Sequence, residues 1–551
     1  MWILHFFKIY YLFMLNIFLC YCFVWLIYLS QKNFFSIYNL CLNTILRRHS
    51  ICHKLNFLFS RFIIQIITEI NRRVPMSKFS NYLRKLIDQS GESITSISRN
   101  TGIERTSIHK ALKDERILSY KTLQMLARYF GLSVEERQEF FRLHDISLQG
   151  EDAYENRQAV CDLLNTLSSV NFSMFPSPEV NALPLTDSLI NGEYAVRSAI
   201  RSVLIYEVSH HTDVEIQMFL PEKLDLTMEF MELWLNDHHF SVSELLYLHR
   251  ANNTLSPNPA RKNLRKLGSV IPLCLASRGS YKPYYFTENM HAVTVSPLIY
   301  YIITPSCLLQ ISEDLSTARI SDNTELISYY RNFFQTNLQN CDLLIQCSSN
   351  IMEVLQEYID GTSPDALQVF MSQPCPGRYI TPEIIQKYLN SDDMPYHPMY
   401  DLVEKHFSVL RQDQITYLTV FTEKGLSDLT QTHVLQDMPP QYVPPLEPDD
   451  IRQMLTALYK EISDGTISGL ILRPTHLQLP DYLTLYVTSA GLHIYTTNAF
   501  VFGAYCCNIH IQEPSLCRIF TEFIKNLPGS PLVYTKEETL NLLKQYIAQL
   551  P

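Results

Sequence analysis

The chain has 551 residues, 46% of them apolar and 18% charged, a globular composition with room for three or four domains and a sizeable core. Its net charge of -10 is unevenly spread: residues 1–75 carry 8 Lys/Arg against one acid, residues 76–150 carry 12 against 9, and residues 151–551 carry 25 against 45. An acidic body repels DNA, so this distribution argues against a nucleic-acid surface beyond residue 150 and confines such contact to the basic stretch before it.

Residues 9–29, IYYLFMLNIFLCYCFVWLIYL, form an apolar run long enough to span a bilayer, and Lys32, Arg47, Arg48, Arg72 and Arg73 behind it would hold the following chain in the cytoplasm. The composition favours another reading. Residues 1–75 contain no Ala, Gly or Asp, and among residues with G-initial codons they hold only Val24, Val74 and Glu69. Spanning helices favour Gly and Ala at their contacts, whereas translation of an AT-rich non-coding stretch gives this bias without selection. Met76 is therefore expected as the start and 1–75 as a mis-annotated leader, with a membrane anchor at 9–29 as the alternative.

Residues 92–115, ESITSISRNTGIERTSIHKALKDE, read as two short helices joined by a tight turn. Ser93 caps the first, whose inner face is Ile94, Ile97 and Thr101. Gly102 closes it, since only glycine takes the left-handed conformation without a Cβ clash, and Ile103 plugs the turn. The second helix, about 104–112, turns Ile108, Ala111 and Leu112 inward and Arg105, Thr106, Ser107, His109 and Lys110 outward. In a helix-turn-helix the fifth position is small, the ninth turns the chain and the fifteenth is aliphatic. Ser98, Gly102 and Ile108 occupy those places.

With these residues the segment resembles the Cro/phage-repressor (XRE-type) helix-turn-helix family over roughly 78–146. A preceding helix (Phe79, Tyr82, Leu83, Leu86, Ile87) and a following one (Ser119 as cap, then Leu123, Leu126, Ala127 and Phe130, with Gly131 as stop) complete the expected bundle, and a fifth helix fits 133–143. The sequence departs from the family at Ile94, commonly Gln, at Asp114, usually Gly, and at Leu118, usually Pro. The resemblance implies that Arg105, Thr106, Ser107, His109 and Lys110 approach base edges. It also implies that Ser93, Thr95, Arg99 and Lys113 hold phosphates.

Past a polar joint at 149–155 come a helix-like stretch, 156–167, and a loop with Pro176, Pro178 and Pro184. Helical and extended stretches then alternate: helix 195–208, strand 214–220, helix 224–236, strand 243–248 and helix 260–275. Two runs of β formers at 293–312 precede a helix at 324–338. Strands 483–487, 492–495 and 507–511 precede another helix at 513–527. The match of YIITPSCLLQIS with LYVTSAGLHIYT hints at a duplicated strand-turn-strand-helix unit. Pro439, Pro440, Pro444, Pro445 and Pro448 read as an interdomain linker.

Catalytic motifs are missing: no glycine-rich phosphate loop, no Gly-x-Ser-x-Gly and no His-Glu-x-x-His occurs. The pairs His210-His211 and His238-His239, beside Asp213 and Asp237, read as surface residues because adjacent side chains point apart. Thirteen cysteines without Cys-x-x-Cys or framework spacing read as reduced thiols. Arg261, Lys262, Arg265 and Lys266 share a helix face that reads as solvated.

The expected fold is multidomain, an all-α lambda-repressor-like helix-turn-helix head followed by an α/β (or α+β) body of unknown family. Its divisions are 1–75 leader, 76–150 DNA-binding domain, 151–188 helix and linker, 189–438 body for sensing or dimerisation, 439–448 linker and 449–551 C-terminal α+β segment. The expected function is sequence-specific transcriptional regulation in the cytoplasm, with no catalysis, cofactor or metal. Double-stranded DNA and a second copy of the chain are the expected partners, and an effector, small molecule or peptide, is left open. The alternative is a membrane-tethered cytoplasmic sensor whose helix-turn-helix docks protein.

Overall fold

The structure, a computed structural model, describes residues 76–172, 183, 187–250, 259–287, 298–348, 350–361, 366–390, 396–412, 416–438, 442–474, 477–488, 491–496 and 507–551. The apolar run 9–29, the prolines at 176, 178, 184, 439 and 440, and the start of the 293–312 stretch lie outside them. Among the described residues no helix is long and apolar enough to cross a membrane. They fall into two compact units, one holding residues 76–89 with Ile108–Arg116 and the other Ser90–Ser107 with Ile117–Pro551.

In the first unit, helix α1 (Lys78–Ser90) buries Phe79, Leu83, Leu86 and Ile87 at helical spacing. The second unit begins with α2 (Ile94–Thr101), and the chain continues through α3 (Arg105–Ala111), α4 (Tyr120–Tyr129) and α5 (Val134–Gln149). Ser119 caps α4 by accepting from the Thr122 N–H, and Ser133 with Glu136 forms a capping box on α5.

The polar joint expected at 149–155 is reduced to Gly150 (φ 91°), from which α6 (Glu151–Ser168) starts at once. Glu151 and Asp152 suit the positive end of a helix dipole, so their polarity marks a helix start and not a loop. Nor is α6 part of a linker. It buries Ala159, Val160, Leu163, Leu164 and Leu167 in the main core, and the Tyr482 hydroxyl donates to the Leu167 carbonyl.

Two mixed sheets follow. The first runs β1 (Leu189–Asn191), β7 (Thr317–Ser321), β6 (Leu308–Ile311), β5 (Tyr300–Ile303), β2 (Val214–Phe219), β3 (Phe240–Tyr247), β4 (Tyr281–Phe286) and β8 (Asp342–Leu343). The second runs β12 (Ser468–Leu472), β11 (Thr416–Thr422), β10 (Ala366–Phe370), β13 (Thr484–Thr488), β14 (Gly491–Thr496), β15 (Cys507–Ile511) and β9 (Ile345–Ser348). Read from β4 to β1, the first sheet has the order and directions of the second read from β12 to β9. Three parallel strands (β4-β3-β2; β12-β11-β10) meet an antiparallel meander (β5-β6-β7; β13-β14-β15), and the earliest strand of each set, β1 or β9, closes the far edge antiparallel.

Helices fall at matching places: α7 (Glu193–His210) after β1, α11 (Ile351–Gly361) after β9, α10 (Thr324–Leu338) after β7 and α16 (Pro514–Lys525) after β15. Among the described residues the remaining α-helices are α8 (Thr227–Leu235), α9 (Pro259–Ser277), α12 (Pro382–Tyr388), α13 (Tyr396–Leu410), α14 (Glu423–Thr432), α15 (Pro448–Asp464) and α17 (Lys536–Gln549). The hairpins YIITPSCLLQIS and LYVTSAGLHIYT are β5-β6 and β13-β14, equivalent elements of a duplicated unit.

This topology corrects the division at 439–448. The proline-rich stretch falls in sequence between β11 and β12, which pair in parallel within one sheet, so a domain division cannot be placed there. Prolines punctuate any surface loop, and Pro448 fills the first turn of α15, where its missing N–H costs nothing. The passage between repeats instead falls at 338–345. One core cluster runs continuously through both sheets, α6, α7, α9 and α16, and a second lies among α11 to α15, α17 and the second sheet.

Glu244, on β3, is buried and accepts a 2.5 Å hydrogen bond from the Tyr281 hydroxyl on β4. Burial pushes its carboxyl up to about 7 from an ordinary 4.5, with the Tyr281 bond acting the other way. The folded state therefore holds this proton more tightly than the unfolded state. The resulting stability is full below pH 4.5 and lost as pH rises through about 7. Glu244→Gln, which keeps an acceptor for Tyr281, is expected to narrow the gap between the denaturation midpoints at pH 5 and pH 8. An unchanged gap would assign the pH dependence elsewhere.

Candidate nucleic-acid interface

The expected helix-turn-helix geometry begins with the caps. The Ser93 side chain accepts from the Ser96 N–H at 3.2 Å, and Gly102 (φ 73°) ends α2 with its N–H on the Ser98 carbonyl. Ser98, the small residue required at this position, donates its hydroxyl to the Ile103 carbonyl at 2.6 Å and so ties helix to turn. Ile97, Ile103 and Ile108 are all buried.

A clamp invisible in the sequence holds α2 to α4. The Tyr129 hydroxyl donates to the Glu92 carboxylate at 2.7–2.8 Å and accepts from Asn100 Nδ2 at 2.9 Å. Hydrogen bonds from Ser96 and Tyr129 hold the Glu92 carboxyl below the usual range. Residues 37 apart with no shared periodicity give no signal for such a pair.

In the first unit, Asp114 explains its own departure from the family pattern. It adopts the left-handed conformation (φ 58°) that the family leaves to glycine, a conformation Asp tolerates better than most residues. Its carboxylate accepts from the Ser77 N–H at 2.7 Å and from the Ser77 and Ser80 hydroxyls at the start of α1. Burial works against the charge, but these bonds together hold its pKa below the ordinary value. Leu118, where the family has Pro, is buried, and its carbonyl is 2.8 Å from His144 Nε2.

On α3, Arg105, Thr106 and Lys110 are exposed and His109 half-buried, an outward face at i, i+1, i+4 and i+5. Ser107 is a correction. It is 9% exposed, because it lies one turn before Ala111 and so shares the inward side with Ile108 and Leu112; its hydroxyl is 3.4 Å from Glu104 Oε2. Ser93, Thr95 and Arg99 at α2 and Lys113 after α3 are exposed. Arg116 and Lys121 are further exposed cations that the spacing argument passed over, since they lie outside the two motif helices.

In the body, His210 Nδ1 lies 2.9 Å from the Tyr206 carbonyl with its ring stacked on Tyr206, while His211 Nε2 lies 3.7 Å from Glu207. Both rings also meet Tyr206, His210 stacked on it and His211 edge-on. Among the described residues no group of three or more His, Cys, Asp and Glu is arranged to hold a metal. Arg261 and Lys262 pair with Asp162 and Glu222 at the surface.

Solved structures with some likeness to the chain include TrmBL2, an archaeal chromatin protein, at 11% identity, 40% of this chain, 70% of that one and a TM-score of 0.22. They also include phosphatidylserine synthase of Haemophilus influenzae, at 11% identity, 65% of this chain, 92% of that one and a TM-score of 0.20. At these scores neither carries an argument. No curated protein matches. Residues 82–137 match the family model of the Cro/C1-type HTH DNA-binding domain, the family that the spacing of Ser98, Gly102 and Ile108 resembles.

Proposed function

We propose that the chain is a cytoplasmic, sequence-specific transcriptional regulator, with a DNA-reading head and a duplicated α/β body that dimerises and receives a signal. The observation that carries this reading is the outward face of α3, Arg105, Thr106, His109 and Lys110, within the segment that matches a Cro/C1-type DNA-binding domain. A second copy would supply a second head, and two recognition helices on a two-fold axis reach half-sites about 34 Å apart. Arg105 and Lys110 read bases, while Ser93, Thr95, Arg99 and Lys113 hold phosphates. The body acts by binding and not by catalysis.

The two kinds of contact separate in a titration. On a duplex recovered by selection, Arg105→Ala is expected to cost about 1–3 kcal/mol of specific binding and to relax preference at one position. Lys113→Ala is expected to weaken all sequences alike and to reduce the slope of log affinity against log salt by about 1. Equal binding by wild type and Arg105→Ala would remove Arg105 from base reading.

A further inference from the structure

Two thiols far apart in the chain meet at the edge of the second sheet. Cys347 on β9 and Cys507 on β15 place their Sγ atoms 2.8 Å apart, although 160 residues separate them. The register explains the meeting. Ile509 is paired with Cys347 and Asn508 with Ser348, so Cys507 stands two residues from the position opposite Cys347 and on the same face. Cys347 is partly exposed and Cys507 buried. Cys274, buried on α9, is a third thiol close enough to interact electrostatically with Cys347.

The segment that carries Cys347 is special in the fold. Residues 342–348 first pair with β4 at the edge of the first sheet, as β8, and then with β15 at the edge of the second, as β9. One short stretch stitches the two repeats together, and its far end holds the thiol. An edge strand bonded on one side is the part of a sheet that opens most readily. A covalent link here would fix the seam.

We propose that Cys347 and Cys507 form a reversible redox site at the junction of the two repeats, oxidised by hydrogen peroxide. The thiol of Cys347, the more exposed residue of the pair, reacts with the peroxide O–O bond to give a sulfenic acid and one water. The Cys507 sulfur then attacks the sulfenic sulfur, forming the S–S bond and expelling the hydroxyl as a second water with the Cys507 proton. Two thiols lose two electrons and two protons, and one peroxide becomes two waters. A dithiol reverses the reaction by exchange. Closure needs the sulfurs to approach by about 0.8 Å to reach disulfide length. The bond would close a loop of 160 residues, the long-loop case in which constraint of the unfolded chain is greatest.

The test uses the full-length chain, reduced and then treated with one equivalent of hydrogen peroxide. Free thiols are alkylated and the digest is mapped by tandem mass spectrometry, in wild type and in Cys506→Ser, which removes the neighbouring thiol. The expected result is a peptide pair joined through Cys347 and Cys507, two hydrogens lighter than the free peptides and lost on treatment with dithiothreitol. Amide exchange over residues 345–348 slows in the oxidised wild type, and the melting temperature rises. Cys347→Ser abolishes all three changes, and because Cys347 is partly exposed that variant keeps the fold. Recovery of both cysteines as alkylated free thiols after oxidation, or their appearance in links to other cysteines, would overturn the proposal.

Discussion

Replacing Arg157 with alanine is expected to destabilise the protein by about 3–5 kcal/mol, the usual cost of stranding one partner of a buried ion pair. Arg157, on α6, donates to Asp145, on α5, at 2.5 Å, and both side chains are nearly excluded from water. Burial pushes the Asp145 carboxyl up, yet the His144 hydrogen bond and the Arg157 charge more than offset it and the pKa lies below the ordinary value. His144 in turn reaches back to the Leu118 carbonyl at 2.8 Å. The pair therefore spans Gly150, the one residue between the last helix of the head and the first helix of the body.

Removing Arg157 leaves the Asp145 carboxylate buried without its counter-charge. The double replacement Arg157→Met with Asp145→Leu is expected to recover most of the loss, because apolar residues of similar volume need no such compensation. Denaturant midpoints of the two variants provide the check. A loss below 1 kcal/mol in Arg157→Ala would mean that the joint is wetter than its burial implies.

The second large effect is expected at Gly425, in the first turn of α14. A Cβ built there would lie 1.9 Å from the Ser372 carbonyl oxygen and 2.2 Å from its carbon, both backbone atoms. That carbonyl also accepts from the Thr422 N–H at 2.9 Å and from the Thr422 hydroxyl at 3.0 Å, and the same hydroxyl caps α14 by accepting from the Gly425 N–H. Helix and strand end cannot separate without breaking these bonds. Gly425→Ala is expected to cost about 3 kcal/mol or more, at or beyond the upper end for overpacked sites, since no flexible side chain can yield. An unchanged melting temperature would contradict the close approach.

Gly425 also shows why part of the fold was illegible. In sequence it is one glycine in a polar helical stretch, and what it meets is Ser372, two residues past the end of β10. Local signals fared better. Ser93, Gly102 and Ser119 act through neighbours three or four residues away, so spacing alone located their helices. Polarity alone puts Ser107 on the outer face, whereas its helical angle groups it with buried Ala111. The duplicated unit left a faint trace in its hairpins, since any two hairpins of β formers look alike. Only strand order reveals it, and strand order is set by pairings between distant residues.

Binding specificity tests the central claim most directly. The full-length protein and an Arg105→Ala, Lys110→Ala variant are each used to select duplexes from a random pool, and the enriched sequences are compared. A regulator that reads bases through α3 is expected to enrich one shared motif, with half-sites about one helical turn apart in the dimer, and the variant is expected to lose that enrichment while keeping salt-sensitive, sequence-independent binding. Indifferent binding of the wild type to all duplexes, or an unaltered motif in the variant, would contradict the account.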